Sequence, residues 1–228
     1  MKTVLITGSN RGLGLAFAKC YSENNYNVIA CCRNTDIASD LISLSKKYNS
    51  IQIHSLDVSN TDQIKALSNS LQSQPIDILI NNAGIYRPST FGNIDKDGWM
   101  DSFLVNTIAP YEIIQNFLPN LLIGESKKVV SITSKMGSID DNTSGGSYIY
   151  RSSKTALNSM MRSLSHDLLS QGISTLTLHP GWVKTDMGGA GAWIDANESV
   201  KGMMNQIEKL SINNSGQYID YAGKSINW

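Results

Sequence analysis

The most constraining stretch of the chain lies near its start, where a short apolar run passes through a turn holding three glycines into a helix-like pattern. Val4-Leu5-Ile6 is continuously apolar, as a strand buried on both faces requires. Thr7-Gly8-Ser9-Asn10-Arg11-Gly12-Leu13-Gly14 follows, and then Ala16, Phe17 and Cys20 continue from Leu13 at helical spacing. In a strand–turn–helix junction of this kind, backbone amides and a helix N-terminus can receive a pyrophosphate, and side chains at the glycines would block its approach. An ordinary glycine-rich turn has the same composition, so the remaining chain has to supply the context.

That context is alternation. Apolar runs at residues 27–32, 51–56, 76–80, 127–133, 173–178 and 217–221 read as further strands. Helical patterns fall between them, at residues 37–48, 62–71, beyond Trp99, around residues 150–168 and at 198–210. The alternation predicts an α/β chain with a doubly wound (Rossmann) parallel sheet of about seven strands and helices on both faces. Residues 1–228 are expected to form one domain of this kind. Ligands of open α/β sheets collect at the carboxyl ends of strands, where Asp57 and Asn81-Asn82-Ala83-Gly84 fall. Beyond Trp99, Phe103, Leu104, Ile108 and Tyr111 stand at core-like spacings with Asn106 as the polar exception, and Pro110 should bend or divide the helix. Leu157, Met160, Met161, Leu164 and Leu168 form an apolar stripe that suits either the chain's own core or a homodimer partner's equivalent helix. Residues 140–147 read as a polar loop, and residues 187–197, small-sided around Trp193, as a mobile one.

Composition removes several functions. Lysine plus arginine and aspartate plus glutamate number 19 each, so no overall field favours nucleic acid or an anionic membrane. Met1-Lys2 and the run after it read as a first strand rather than a leader, because Thr7-Gly8 interrupts the run early. No apolar run reaches the length of a membrane-spanning helix, and the expectation is a cytoplasmic protein. Cys20, Cys31 and Cys32 read as reduced thiols: adjacent strand residues point to opposite faces, which suits neither a disulfide nor a metal. No metal site is expected, and the lone His179 reads as structural.

Two further features carry chemistry. Tyr150 and Lys154 lie one turn apart on one helix face, where the ammonium can favour the phenolate and bring the phenol's acidity towards neutrality. At the tip of the second strand, dinucleotide folds place either an acid on the ribose 2′-hydroxyl or an arginine near a 2′-phosphate. Here the tip carries Arg33 and no acid, and Arg11 can reach the same place, which favours NADP(H) over NAD(H). Two solvated surface arginines are the plainer alternative.

Taken in order, these segments resemble the short-chain dehydrogenase/reductase family over essentially the whole chain. Thr7 to Gly14 match its T-G-x-x-x-G-x-G turn, Asn81 to Gly84 its N-N-A-G, and Asn106 its helix asparagine. Ser134 matches its serine, Tyr150 and Lys154 its Y-x-x-x-K, and Pro180-Gly181 its P-G. The stretches 150–158, 179–189 and 223–228 are most similar to the C-factor and Sniffer-type carbonyl reductases. Tyr148 is set aside because Ser152, not a lysine, follows four positions on. Ser131 is set aside as lying inside its strand, and Ser138 as lying past the turn.

The resemblance implies an NADPH-dependent oxidoreductase reducing a ketone, aldehyde or quinone, with Tyr150 as general acid. Lys154 would tune the tyrosine and hold the nicotinamide ribose, Ser134 would polarise the carbonyl, and Asn106 would hold a water behind Lys154. Gly8, Asn10, Arg11, Gly12, Leu13 and Gly14 would form the phosphate end, with Arg11 and Arg33 serving the 2′-phosphate. Asp57 and Val58 would face the adenine, and Asn82, Ala83 and Gly84 its ribose. Pro180 and Gly181 belong to the same cofactor set, with Val183 and Thr185 at the carboxamide. The implied partners are a small carbonyl or alcohol and a second copy of the chain. The alternative is an NADP(H)-binding signalling or redox-sensing protein in which turnover is incidental.

Overall fold

The computed structural model describes residues 1–189 and 191–228. Strand β1 (Thr3–Thr7) is buried at every position, as its unbroken apolar run requires. It is followed by α1 (Gly12–Glu23), β2 (Asn27–Cys32), α2 (Ser39–Lys47), β3 (Ile51–Ser55), α3 (Thr61–Ser70) and β4 (Ile78–Asn81). Then come α4 (Lys96–Phe103), α5 (Ala109–Asn116), α6 (Leu118–Ile123), β5 (Lys128–Ile132) and α7 (Tyr148–Asp167). Strand β6 (Ser174–His179), α8 (Ala196–Lys209) and β7 (Gln217–Asp220) complete the order. Side-chain caps set several helix starts: Asn60 accepts from the amides of Asp62 and Gln63, Asp95 from Gly98 and Asp195 from Glu198.

All seven strands are parallel, in the order β3-β2-β1-β4-β5-β6-β7. The chain builds outwards from β1 to β3, returns to β4 and then builds the other way. The reversal opens a crevice between the carboxyl ends of β1 and β4. Each face of the sheet has its own apolar core. Phe17 of α1, Leu41 of α2 and Met203 of α8 pack on one face; Ile64 of α3, Ile113 of α5 and Leu157 of α7 pack on the other. Phe17 is fully buried, so Phe17→Ala falls in the class of core truncations that cost about 3–5 kcal/mol. Cys32 faces the first core and Cys31 the second, as their adjacency in a strand dictates, and all three thiols are free. No helix among the described residues is long and apolar enough to cross a membrane.

The helical region after Trp99 departs from expectation. Residues Leu104–Ile108 form a π-helical turn between α4 and α5, and Pro110 sits in the first turn of α5. Pro110 has no N–H to donate back in either register, and the Ala109 amide donates to the Leu104 carbonyl, one residue farther back than in an α-helix. The extra residue in the turn also rotates α5 about its axis. Ile108 and Tyr111, expected in the core, are 46% and 44% exposed, whereas Ala109, Ile113, Ile114 and Phe117 are buried. In α7, Leu157, Met161, Leu164 and Leu168 are buried in the chain's own core and Met160 packs partly against it.

Candidate active site

The crevice continues into a cleft of about 470 Å³ over the strand ends, within the range of small-ligand sites. Its floor at one end is the glycine-rich turn. Gly8 has φ +69°, a conformation that disfavours any side chain. A Cβ on Gly14 would lie 2.0 Å from the Gly8 carbonyl oxygen, so helix and turn can pack this closely only without one. Arg11, the N-cap of α1, makes no side-chain cap, which leaves the first amides of the helix to the cleft. The turn is stitched to the end of β4: Thr7 Oγ1 accepts from the amides of Asn82 (3.1 Å) and Ala83 (3.0 Å). Asn82 Nδ2 in turn donates to the carbonyls of Thr7 (2.8 Å) and Gly8 (3.1 Å).

Sixteen of the residues anticipated from sequence line this cleft, as do ten others. Gly8, Asn10, Arg11, Gly12, Leu13 and Gly14 form the floor, with Arg33, Asp57 and Val58 at the ends of β2 and β3. Asn82, Ala83 and Gly84 form the β4 side, and Tyr150, Lys154, Pro180 and Thr185 complete the far end. Gly181, Val183 and Ser134 stand outside the lining: a Cβ on Gly181 would meet Ile194, Val183 is buried in a backbone bridge to Ile194, and Ser134 caps the turn after β5. Arg33 makes no ion pair among the described residues, but Arg11 is bonded to Asp186 at 2.7 Å, with both side chains well exposed. The Asp57 carboxylate is engaged locally, accepting from the Ser59 amide (2.9 Å) and hydroxyl (2.6 Å).

The other end is dry. Tyr150 and Lys154 rise side by side from α7, 7% and 4% exposed. Lys154 Nζ donates to the Ile132 carbonyl (3.0 Å) and lies 5.9 Å from the centre of the Tyr150 ring. Ser134 caps a short 3₁₀ turn, Lys135–Gly137, accepting from the Met136 amide at 3.2 Å, and its side chain stands near enough to the Tyr150 phenol to favour the phenolate. Asn106 is fully buried, one layer behind the lining. Its Oδ1 accepts from the Ile85 amide (2.9 Å), and its Nδ2 donates to the Ile85 carbonyl (2.9 Å) and Ser153 Oγ (3.0 Å). A Cβ on Gly84 would lie 3.2 Å from Asn106 Oδ1 and 3.5 Å from Lys154 Nζ, so this glycine stands next to both groups. The π-turn is the local feature that carries Asn106, and such turns recur at functional sites.

The electrostatics correct one expectation. Burial pushes the Tyr150 phenol up to about 12; the Ser134 side chain pulls it down and Tyr86 adds a smaller upward push. Burial pushes Lys154 down to about 8. Burial governs both groups: Lys154 is not among the groups that lower the phenol, and Tyr150 is not among those that hold up the lysine.

Tyr86 escaped the sequence reading. Its ring meets the Tyr150 ring edge-on at 5.0 Å, and its hydroxyl lies 3.2 Å from Ser147 Oγ. Position alone, just past the Asn-Asn-Ala-Gly turn, was the available signal. Tyr86 stands outside the lining, whereas Cys32, Ser59, Lys184, Asp186 and Met187 line the cleft and carried no motif. Trp193 does not close over Tyr150: it packs edge-on against Trp182 at 5.5 Å and is 73% exposed. The stretch around it is tied down by the Val183–Ile194 bridge and by Trp182 Nε1 donating to the Gly188 carbonyl (2.7 Å); Ala190 of that stretch lies outside the described residues. His179 ends β6 with Nδ1 unpaired, and burial pushes it down to about 4.

Comparison with known proteins agrees with this architecture. The family model for short chain dehydrogenases matches residues 2–192. The C-signal of Myxococcus xanthus is 41% identical over 166 residues, spanning 72% of this chain and 100% of that protein. The structure of the carbonyl reductase Sniffer of D. melanogaster superposes with a TM-score of 0.94 at 34% identity, covering 100% of both chains. An NADPH-bound carbonyl reductase from chicken fatty liver gives 0.94 at 35% identity, covering 100% of this chain and 99% of that one.

Proposed function

This chain belongs to the short-chain dehydrogenase family of oxidoreductases, and from that premise we propose that it reduces a ketone, aldehyde or quinone to an alcohol with NADPH. The observation that carries the reading is the convergence of Tyr150 and Lys154 at the dry end of a cleft whose other end is a glycine cradle, with Ser134 on the turn beside the phenol. Solved relatives bind NADPH or NADP, which supports the choice of cofactor.

The residues present fit such a group. The close packing of Gly14 on Gly8 and the uncapped amides of α1 suit a pyrophosphate. Arg33, with no acid beside it, suits a 2′-phosphate, and Arg11 can join it once it leaves Asp186. When bound, the cofactor supplies the hydride. Tyr150 Oη gives its proton to the alkoxide oxygen as that oxygen gains charge, acting as general acid. Ser134 Oγ donates to the same oxygen and stabilises the charge where it develops. Lys154, unprotonated more readily than a surface lysine, holds the ribose hydroxyls and passes a proton back to Tyr150. Asn106 fixes the Ile85 backbone and Ser153 behind that pair, and a water beside it would connect Lys154 to solvent.

The test is NADPH oxidation with a panel of dicarbonyls, quinones and aldehydes, with the alcohol product identified. Tight NADPH binding without oxidation by any of them overturns the reading. The likeness to a protein named C-signal favours the second reading, a nucleotide-binding signalling protein, and that same negative result would support it.

A further inference from the structure

We propose that Tyr218, on β7, is a positioning residue for the reaction: its hydroxyl holds the Ser134 turn in register with Tyr150. The inference rests on the carbonyl-reduction reading. Strand β5 ends at Ile132, so the Ser134 carbonyl has left the sheet ladder, and the Gly137 amide that closes the 3₁₀ turn donates to it at 2.8 Å. Tyr218 Oη donates to its second lone pair at 2.7 Å and ties the turn to β7. Because Ser134 is extended (φ −145°, ψ 148°), fixing its carbonyl fixes the peptide plane and with it the direction of Cβ and Oγ.

Tyr218 is itself braced. Its ring, 3% exposed, leans on Trp228 with centres 5.3 Å apart. Trp228 returns along β7, where the Ile226 amide donates to the Tyr218 carbonyl (2.9 Å). The Trp228 carbonyl oxygen then accepts from the amides of Ile139 (3.1 Å) and Asp140 (3.2 Å), just past the turn. On the opposite side stands Asn158, one helical turn beyond Lys154. Its Nδ2 donates to the Gly137 carbonyl (3.2 Å) and its Oδ1 accepts from Thr133 Oγ1 (2.6 Å). Gly137 packs so closely on α7 that a Cβ would lie 2.9 Å from the Lys154 carbonyl carbon. The serine is thus clamped between the helix that carries the acid and a strand distant from it in sequence. Displacement of a reacting group by about 1 Å is enough to cost a large factor in rate.

Tyr218→Phe separates this role from packing, because the ring and its stack on Trp228 remain. With a carbonyl that the wild type reduces, kcat is expected to fall about tenfold, equivalent to about 1.4 kcal/mol. NADPH affinity should be unchanged, and the alkaline limb of the kcat–pH profile should move in the same direction as in Ser134→Ala. In the double variant Tyr218→Phe/Ser134→Ala the rate should equal that of Ser134→Ala alone. Independent, multiplying losses, or an unchanged kcat in Tyr218→Phe, overturn the proposal. If the wild type reduces no carbonyl, the reading of function fails, and the positioning role is then decided by amide hydrogen exchange. Faster exchange confined to the Met136–Asp140 amides in Tyr218→Phe sustains it, and exchange identical to wild type overturns it.

Discussion

The two ends of the cleft solve opposite problems. At the glycine-rich end, where the proposed cofactor's phosphates would lie, the protein presents backbone amides and exposed guanidiniums, and its glycines keep side chains away. At the other end it buries a phenol, an ammonium and an amide; the Ile132 carbonyl satisfies the ammonium and the Ile85 backbone the amide, and Ser134 stands beside the phenol. A charged ligand brings its own compensation to the first end, so water there costs little. At the second end a buried charge raises the free energy of the free protein, and that cost shows as a depressed lysine and a raised tyrosine. On the proposed reading, binding falls to the wet rim and chemistry to the dry wall of the same cleft.

Substitution at Lys154 probes the dry end and should give the largest of three effects. Lys154→Met is expected to lower kcat about 100-fold, the scale of proton-transfer assistance. It should also raise the melting temperature of the cofactor-free protein at pH 7. The sign follows from the lysine's value near 8, below its ordinary 10.5: the charged form is disfavoured in the fold, and stability increases as pH rises from about 8 to 10.5. A penalty of about 3 kcal/mol at pH 7, less about 1–2 kcal/mol for the unpaired Ile132 carbonyl, leaves a gain of roughly 1–2 kcal/mol. Thermal melts at pH 7 and pH 10 check it, because the gain should shrink at the higher pH.

Substitution at the wet rim should alter binding and leave the chemistry intact. Arg33→Asp is expected to shift preference from NADPH towards NADH by roughly 10–100-fold, the range of one charge-assisted hydrogen bond lost and one repulsion added. Fluorescence titration with both cofactors measures it, and equal wild-type affinities for the two would remove the basis of the comparison. The smallest effect belongs to Asp186→Asn. Exposed ion pairs are worth about 0–1 kcal/mol, so freeing Arg11 should tighten NADPH binding by at most about fivefold, and less at high salt. Weaker binding in this variant would mean that Asp186 holds Arg11 in place rather than competing for it.

How much of this was legible in the sequence divides along the same line. The phosphate end is written in contiguous residues: an apolar strand, a turn whose glycines stand at fixed offsets, and an arginine at the next strand tip. Strand succession and the doubly wound sheet were legible for the same reason, since period and turn chemistry are local. Tyr150 and Lys154 were readable as a pair because one helix carries both. What escaped depends on contacts between distant segments. The π-turn at Leu104–Ile108 changed the phase of α5, which put Ile108 and Tyr111 outside the core. Tyr86 against Tyr150, Tyr218 beneath Ser134 and Asp186 on Arg11 join elements that no spacing rule connects. The raised tyrosine was missed because helical spacing says that two groups are near, but not how little water surrounds them.

The division of the cleft is tested most directly by one variant measured for both properties. Tyr150→Phe removes a single oxygen from the dry end, and NADPH affinity and carbonyl-dependent NADPH oxidation are then determined on the same preparation. The account predicts NADPH affinity within about twofold of wild type and turnover lower by roughly 10²–10⁴. Turnover equal to wild type, or turnover lost only in proportion to lost cofactor binding, would contradict it.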